Sequence, residues 1–126
     1  MTGFAELIWV DLECADPAVL AEFYHQVLGW EVTDSQDDYA LLSGGATGRS
    51  GGMRIRFGRV AGYLAPDWPD SDAPKRYHLD LRVDDVAKAV ERCLELGAGK
   101  PRFQPGGALW TVLTDPAGHP FCLCPA

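Results

Sequence analysis

The chain has 126 residues, 47% of them hydrophobic and 23% charged, and a net charge of −7 at pH 7. That is the size of one ordinary domain with enough apolar residues for a core, and the acidic balance excludes the basic patches that nucleic acid or an anionic membrane surface requires. No run approaches the roughly 20 apolar residues of a membrane span, and the acidic start has no basic n-region of a signal peptide, so a cytoplasmic protein is expected.

Leu7 to Ala15 reads as a strand. Ile8, Val10, Leu12 and Cys14 alternate onto one face, and Trp9, Asp11 and Glu13 onto the other. Asp16 is an N-cap and Pro17 the first residue of a helix, which Gly29 ends in the left-handed conformation. The helix carries an apolar stripe of Val19, Leu20, Phe23, Tyr24, Val27 and Leu28. Short strands follow at Trp30 to Thr33 and Tyr39 to Leu42, around an acidic turn from Asp34 to Asp38.

Ser43 to Gly52 is a Gly/Ser/Thr-rich loop without the residue order of a phosphate-binding loop. Met53 to Val60 is a strand with Met53, Ile55 and Phe57 on one face and Arg54 and Arg56 on the other. Residues 61–76, rich in Pro and Asp, read as a connection. Tyr77 to Val83 is a strand with Leu79, Leu81 and Val83 inward and His78, Asp80 and Arg82 opposite. Asp84 or Asp85 caps a second helix with the stripe Val86, Ala89, Val90, Cys93 and Leu94, and Gly97 stops it. Strands are expected at Lys100 to Gln104, Leu109 to Thr114 and Phe121 to Cys124, with a turn at Asp115-Pro116-Ala117-Gly118 between the last two.

The chain therefore repeats itself: Asp16 and Gly29, like Asp84 and Gly97, stand thirteen positions apart. Each half reads as strand, helix and three more strands, and the expected fold is α+β. If the helices take the apolar faces, the opposite faces collect Trp9, Asp11, Glu13, Arg54, Arg56, His78, Asp80 and Arg82. Aromatic walls with a few convergent charges suit a small-molecule site. The acids are expected to pair with the arginines across strands. Trp9 and Trp110 are either ligand platforms or packing groups. Trp30 is expected in the core, and Trp68 over the site or a partner. His25, on a helix, and His119, in a turn, are expected to be solvated. Of the four cysteines, Cys14, Cys93 and Cys124 read as buried small residues, and Cys122-x-Cys124 lacks structural-zinc spacing.

Three segments together resemble the vicinal oxygen chelate superfamily of glyoxalase I, bleomycin-resistance proteins and extradiol dioxygenases. They are Phe23-Tyr24-His25-Gln26-Val27-Leu28-Gly29-Trp30 after Asp16-Pro17, His78-Leu79-Asp80-Leu81-Arg82-Val83-Asp84-Asp85, and Asp115-Pro116-Ala117-Gly118-His119-Pro120-Phe121. The run from Arg76 to Asp85, with Trp110 and the Asp115-Pro116-Ala117-Gly118 turn, is most similar to the small, mainly bacterial glyoxalase-like domain subgroup. The resemblance implies two tandem βαβββ modules, at residues 1–60 and 77–126 of one domain 1–126, forming an open cup with helices outside. It also implies a homodimer.

Metal-using members place a ligand in the first and last strand of each half. By that resemblance the first-strand positions are Trp9 and His78. The last-strand position of the second half is Cys122. Its counterpart falls at an undetermined register between Arg54 and Gly58, where no Glu, His or Asp occurs. His78 is the only strong metal candidate, whereas most catalytic sites need at least three protein ligands. The expectation is a protein that binds a small organic molecule without metal or other cofactor, through Trp9, Asp11, Glu13, Arg54, Arg56, His78, Asp80, Arg82, Trp110 and Cys122. The alternatives are a divergent metal-dependent lyase or dioxygenase using His78 with Asp11, Glu13 or Cys122, and a structural dimer with no ligand.

Overall fold

The computed structural model describes residues 3–44, 52–68 and 77–126. Most of the loop expected at 43–52 and half of the connection expected at 61–76 lie outside them. The chain divides into two compact units, Met1–Tyr63 and Leu64–Ala126. The second unit thus takes the residues from Leu64 to Trp68 out of the expected connection.

The first unit runs β1 (Val10–Cys14), α1 (Pro17–Leu28), β2 (Glu31–Ser35), β3 (Tyr39–Gly44) and β4 (Met53–Arg59). Its sheet has the order β1-β4-β3-β2, with β1 and β4 parallel and the other pairs antiparallel. The helix starts where the Asp16 carboxylate accepts from the main-chain N–H groups of Ala18 at 3.2 Å and Val19 at 3.4 Å. It ends at Gly29, whose φ of 73° suits a residue without Cβ and whose N–H donates to the His25 carbonyl. Leu20, Phe23 and Tyr24 are buried beneath it, and the Tyr24 ring stacks on Phe57 at 5.7 Å. Ala40, Leu42, Ile55 and Phe57 form the sheet side of this core. Burying each large side chain contributes about 1.5–3 kcal/mol.

The second unit runs β5 (Leu79–Val83), α2 (Val86–Glu95), β6 (Thr111–Thr114) and β7 (Pro120–Pro125). Its sheet has the order β5-β7-β6, again with the first and last strands parallel. Asp85 is the cap of α2, accepting from the Lys88 N–H at 3.1 Å, and Gly97 follows the helix at φ 110°. Leu113, Phe121 and Leu123 are fully buried, and Cys93 is the buried residue of α2.

One expected strand is absent from this unit. Lys100 to Gln104 is not extended, and only a single bridge, Gly99 to Thr114, remains of that pairing. Pro101 lacks the N–H that a ladder needs. The Gln104 side chain takes its place. The amide Nε2 donates to the Val112 carbonyl, and the amide Oε1 accepts from the Val112 N–H, both at 2.9 Å. A second donation to the Pro101 carbonyl at 2.9 Å holds the amide in position. One side chain therefore satisfies Val112 on the outer edge of β6 as a neighbouring strand would, while the Gly99 main chain pairs with Thr114.

Several strands are shorter than expected, β6 among them, which begins at Thr111 rather than Leu109. Leu7 and Ile8 lie exposed before β1, and Tyr77 lies exposed before β5. Among the described residues, no helix is long and apolar enough to cross a membrane.

Candidate functional site

Alternation along the strands puts Trp9, Asp11, Tyr39, Arg54 and Arg56 on the face of the first sheet opposite α1. Asp11 and Arg56 are register partners across the parallel β1–β4 pair, and their side chains form an ion pair at 2.8 Å. The Arg56 guanidinium also lies 5.0 Å from the centre of the Tyr39 ring. Tyr39 donates its hydroxyl proton to the Asp34 carboxylate. That bond holds the Asp34 carboxyl below its ordinary range and pushes the Tyr39 phenol above its own. Gly58 makes room for the ion pair, since a Cβ there would sit 2.7 Å from Arg56 Nη1.

Arg54 is the other cation of this face. Its guanidinium lies 5.9 Å from the centre of the Trp9 ring. Among the described residues it makes no ion pair, and its Nε is buried without a hydrogen-bond partner. Glu13, on β1, is exposed.

The corresponding face of the second sheet has a different chemistry. Asp80 and Cys122 are register partners across the parallel β5–β7 pair, as Arg82 and Cys124 are one step on. His78, just before β5, places Nε2 3.2 Å from Asp80 Oδ1. The donor atoms of His78, Asp80 and Cys122 all lie within 4.8 Å of one another. Trp68 is buried against this face, its ring 5.2 Å from the His78 ring, in one apolar cluster with Val112, Cys122, Trp110 and Cys124. Burial and the nearby Asp80 charge both raise the Cys124 thiol pKa. The Trp110 ring lies over Gly106, where a Cβ would clash. Trp110 and Trp68 are thus packing groups within their own unit.

Several expectations are corrected by these contacts. Asp80 meets His78 rather than an arginine. His25 is not simply solvated: its Nδ1 bonds the Trp30 carbonyl at 2.6 Å and secures the corner after α1. His119 is half-buried in the turn, where Asp115 Oδ1 accepts from the His119 N–H at 3.0 Å. Trp30 is half-buried with its ring against Gly44. Sequence reasoning gave no role to Tyr39 or Gln104. A Gln followed eight residues later by the edge residue it serves leaves no local pattern to find.

The caps fix the correspondence between the units. Trp9 stands seven residues before Asp16, and His78 seven before Asp85. Asp11 and Asp80 each stand five before the cap, so their strand partners Arg56 and Cys122 are equivalent. The undetermined last-strand position of the first half is therefore Arg56. Neither residue of the first unit fits a metal ion. Indole nitrogen has no lone pair to give, and guanidinium is a cation already held by Asp11. The four-position metal arrangement does not fit this chain.

Two units with the strand–helix–strand order and the parallel outer pair define a duplicated chelate-type fold. The glyoxalase-like domain model matches residues 8–124, and the chain belongs to that family, within the vicinal oxygen chelate superfamily. A glyoxalase/bleomycin resistance protein/dioxygenase family enzyme from Burkholderia phytofirmans PsJN is similar in fold, at 20% identity over 96% of this chain and 98% of that one, with a TM-score of 0.67. The glyoxalase family protein from Enterococcus faecalis is 21% identical over 96% and 98%, with a TM-score of 0.64. The trypanothione-dependent glyoxalase I of Leishmania major is 16% identical over 96% and 86%, also with a TM-score of 0.64. At such identities the likeness is one of fold. No curated protein matches the chain in sequence.

Proposed function

We propose that this protein binds a small, flat organic anion through Trp9 and Arg54, without the four-ligand metal of its superfamily. The observation that carries the reading is Arg54. It is a cation set over an indole ring, with a buried N–H that nothing among the described residues accepts. A buried unsatisfied donor costs about 1–3 kcal/mol. A carboxylate brought to the guanidinium gains a charge-assisted bond. The Trp9 ring offers the planar surface on which an aromatic or conjugated ligand stacks.

Of the other expected contacts, those of the first unit form the surroundings of that ligand. Arg56 is neutralised by Asp11, so it orients rather than attracts. Glu13 lies on the same sheet face of the first unit, whereas His78, Asp80, Arg82, Trp110 and Cys122 belong to the second unit. Sequestration of such a compound needs no catalytic group. A homodimer is part of this reading, and light scattering on the purified chain checks it.

Calorimetric titration with benzoate, benzamide and benzylamine tests the ligand class. Benzoate is expected to bind at least tenfold more tightly than the neutral or cationic analogue. Arg54→Met and Trp9→Ala should each abolish that preference. Equal affinity for the three probes, or a benzoate preference untouched by both substitutions, overturns the reading.

A further inference from the structure

The second unit holds three different metal-donor groups in one place, and none of them depends on the first unit. The geometry points to a zinc site made by His78, Asp80 and Cys122 alone. This set differs from the superfamily arrangement in recruiting Asp80 and in drawing every donor from a single unit.

The placement follows from the sheet. Asp80 and Cys122 are adjacent because β5 and β7 are parallel with those residues in register. His78 is on the same face because it lies two residues before Asp80. A tetrahedral zinc ion with bonds of about 2.0–2.3 Å holds its ligand atoms about 3.3–3.6 Å apart. The His78–Asp80 separation of 3.2 Å already fits one edge of that tetrahedron. The full set lies within 4.8 Å, so closure needs side-chain rotations of about 1 Å rather than backbone movement.

The chemistry of the set selects the ion. Imidazole nitrogen, thiolate sulfur and one carboxylate oxygen match zinc, whereas magnesium demands oxygen ligands and keeps its water. Zinc binding breaks the Cys122 S–H bond, forms a Zn–S bond and releases one proton to solvent. Because Nε2 faces the Asp80 carboxylate, the ring proton must sit on Nδ1 before Nε2 can give its lone pair to the ion. One thiolate and one carboxylate then balance the two positive charges. Three protein donors leave a fourth position open for water or a ligand.

The surroundings favour the same assignment. Cys122 is 2% exposed and packed with Trp68 and Val112, so the sulfur side is dry. The Asp80 side chain is 64% exposed, which leaves a path by which the ion enters. Trp68 lies over the His78 ring and restricts its plane.

The test uses the full chain, purified without a histidine tag and stripped with chelator. Titration with Zn²⁺ should show one ion per chain and about one proton released for each ion bound, with no binding of Mg²⁺. Co²⁺ in place of zinc should give the near-ultraviolet absorption of a cobalt–thiolate bond. Cys122→Ser should abolish that band. Asp80→Asn, at an exposed position that does not threaten folding, should weaken zinc at least tenfold and leave the band in place. Cys124→Ser should change neither. Failure to bind zinc, a cobalt–thiolate band that survives Cys122→Ser or disappears with Cys124→Ser, or undiminished affinity in Asp80→Asn overturns the assignment. None of these outcomes involves Trp9 or Arg54, so the ligand reading stands or falls separately.

Discussion

The two units begin from the same frame and finish with opposite faces. Each has a parallel outer strand pair, a helix capped by aspartate, and a glycine beyond that helix at positive φ. In the first unit the face away from the helix carries Arg54 over Trp9, and Arg56 between Asp11 and Tyr39. In the second unit the equivalent face is sulfur, imidazole and indole, with Trp68 and Trp110 packed into it. The difference shows how a duplicated sheet separates its two tasks. The helix-side residues preserve the fold, and the opposite residues are free to take different chemistry. Arg56 and Cys122 occupy the same place in the frame, yet one is a cation and the other a soft ligand.

The helix-side cores should show the largest effects, and the effects should be alike. Phe57 and Leu123 are equivalent by cap spacing and strand register, and both are fully buried. Phe57→Ala is expected to cost about 3–5 kcal/mol and Leu123→Ala about 2–5 kcal/mol, from lost transfer energy plus a cavity. Urea denaturation followed by tryptophan fluorescence measures both. A loss below 1 kcal/mol at either position would break the symmetry of the frame.

The outer edges differ more than the cores. In the first unit β3 is paired on both sides by strands, whereas in the second the outer side of β6 has only the Gln104 amide at Val112 and the Gly99 bridge at Thr114 among the described residues. Gln104→Ala leaves the Val112 N–H and carbonyl without that partner. The expected cost is about 1–3 kcal/mol, and less where water reaches the edge. Hydrogen exchange at the Val112 amide should accelerate more than at Cys122, which stays within the ladder. An unchanged Val112 exchange rate would mean that the amide does not serve as the missing strand.

The same distinction explains what could be read from the sequence. Caps and alternation are local, so both helices, the faces of β1, β4 and β5, and the duplication were legible from Asp16, Gly29, Gly97 and the apolar periods. Arg54 and Arg56 were legible as a pair on one face. Their separate fates were not, because Asp11 is 45 residues from Arg56 and only the register decides which arginine it meets. The strand expected at Lys100 to Gln104 failed for a related reason. A side-chain amide that replaces a strand leaves no period, and Pro101 was the single local warning. Asp84 against Asp85 as cap shifted the apparent spacing of His78 by one residue. With Asp85 as the cap, the spacing equals that of Trp9, which the resemblance already paired with His78.

The smallest effect concerns the acidic corner of the first unit, which has no counterpart described in the second. The Tyr39 hydroxyl bond lowers the Asp34 pKa and raises the Tyr39 pKa. For Asp34 the folded value lies below the unfolded one. Its contribution to stability is therefore present above the unfolded carboxylate range, near pH 4, and is lost as pH falls through the lowered value. For Tyr39 the folded value lies above the unfolded one, so its contribution is complete below about pH 10 and is lost as pH rises through the raised value. Tyr39→Phe removes the bond and should lower stability modestly between about pH 4 and pH 10, with the difference from the parent chain vanishing at the acid and alkaline ends. Both groups are close to solvent, so screening keeps the change modest. Chemical denaturation from pH 3 to pH 11 measures it, with Asp34→Asn as the companion. If Tyr39→Phe altered stability equally at every pH, the loss would be one of packing against Arg56. The proton shared between Asp34 and Tyr39 would then have no part in it.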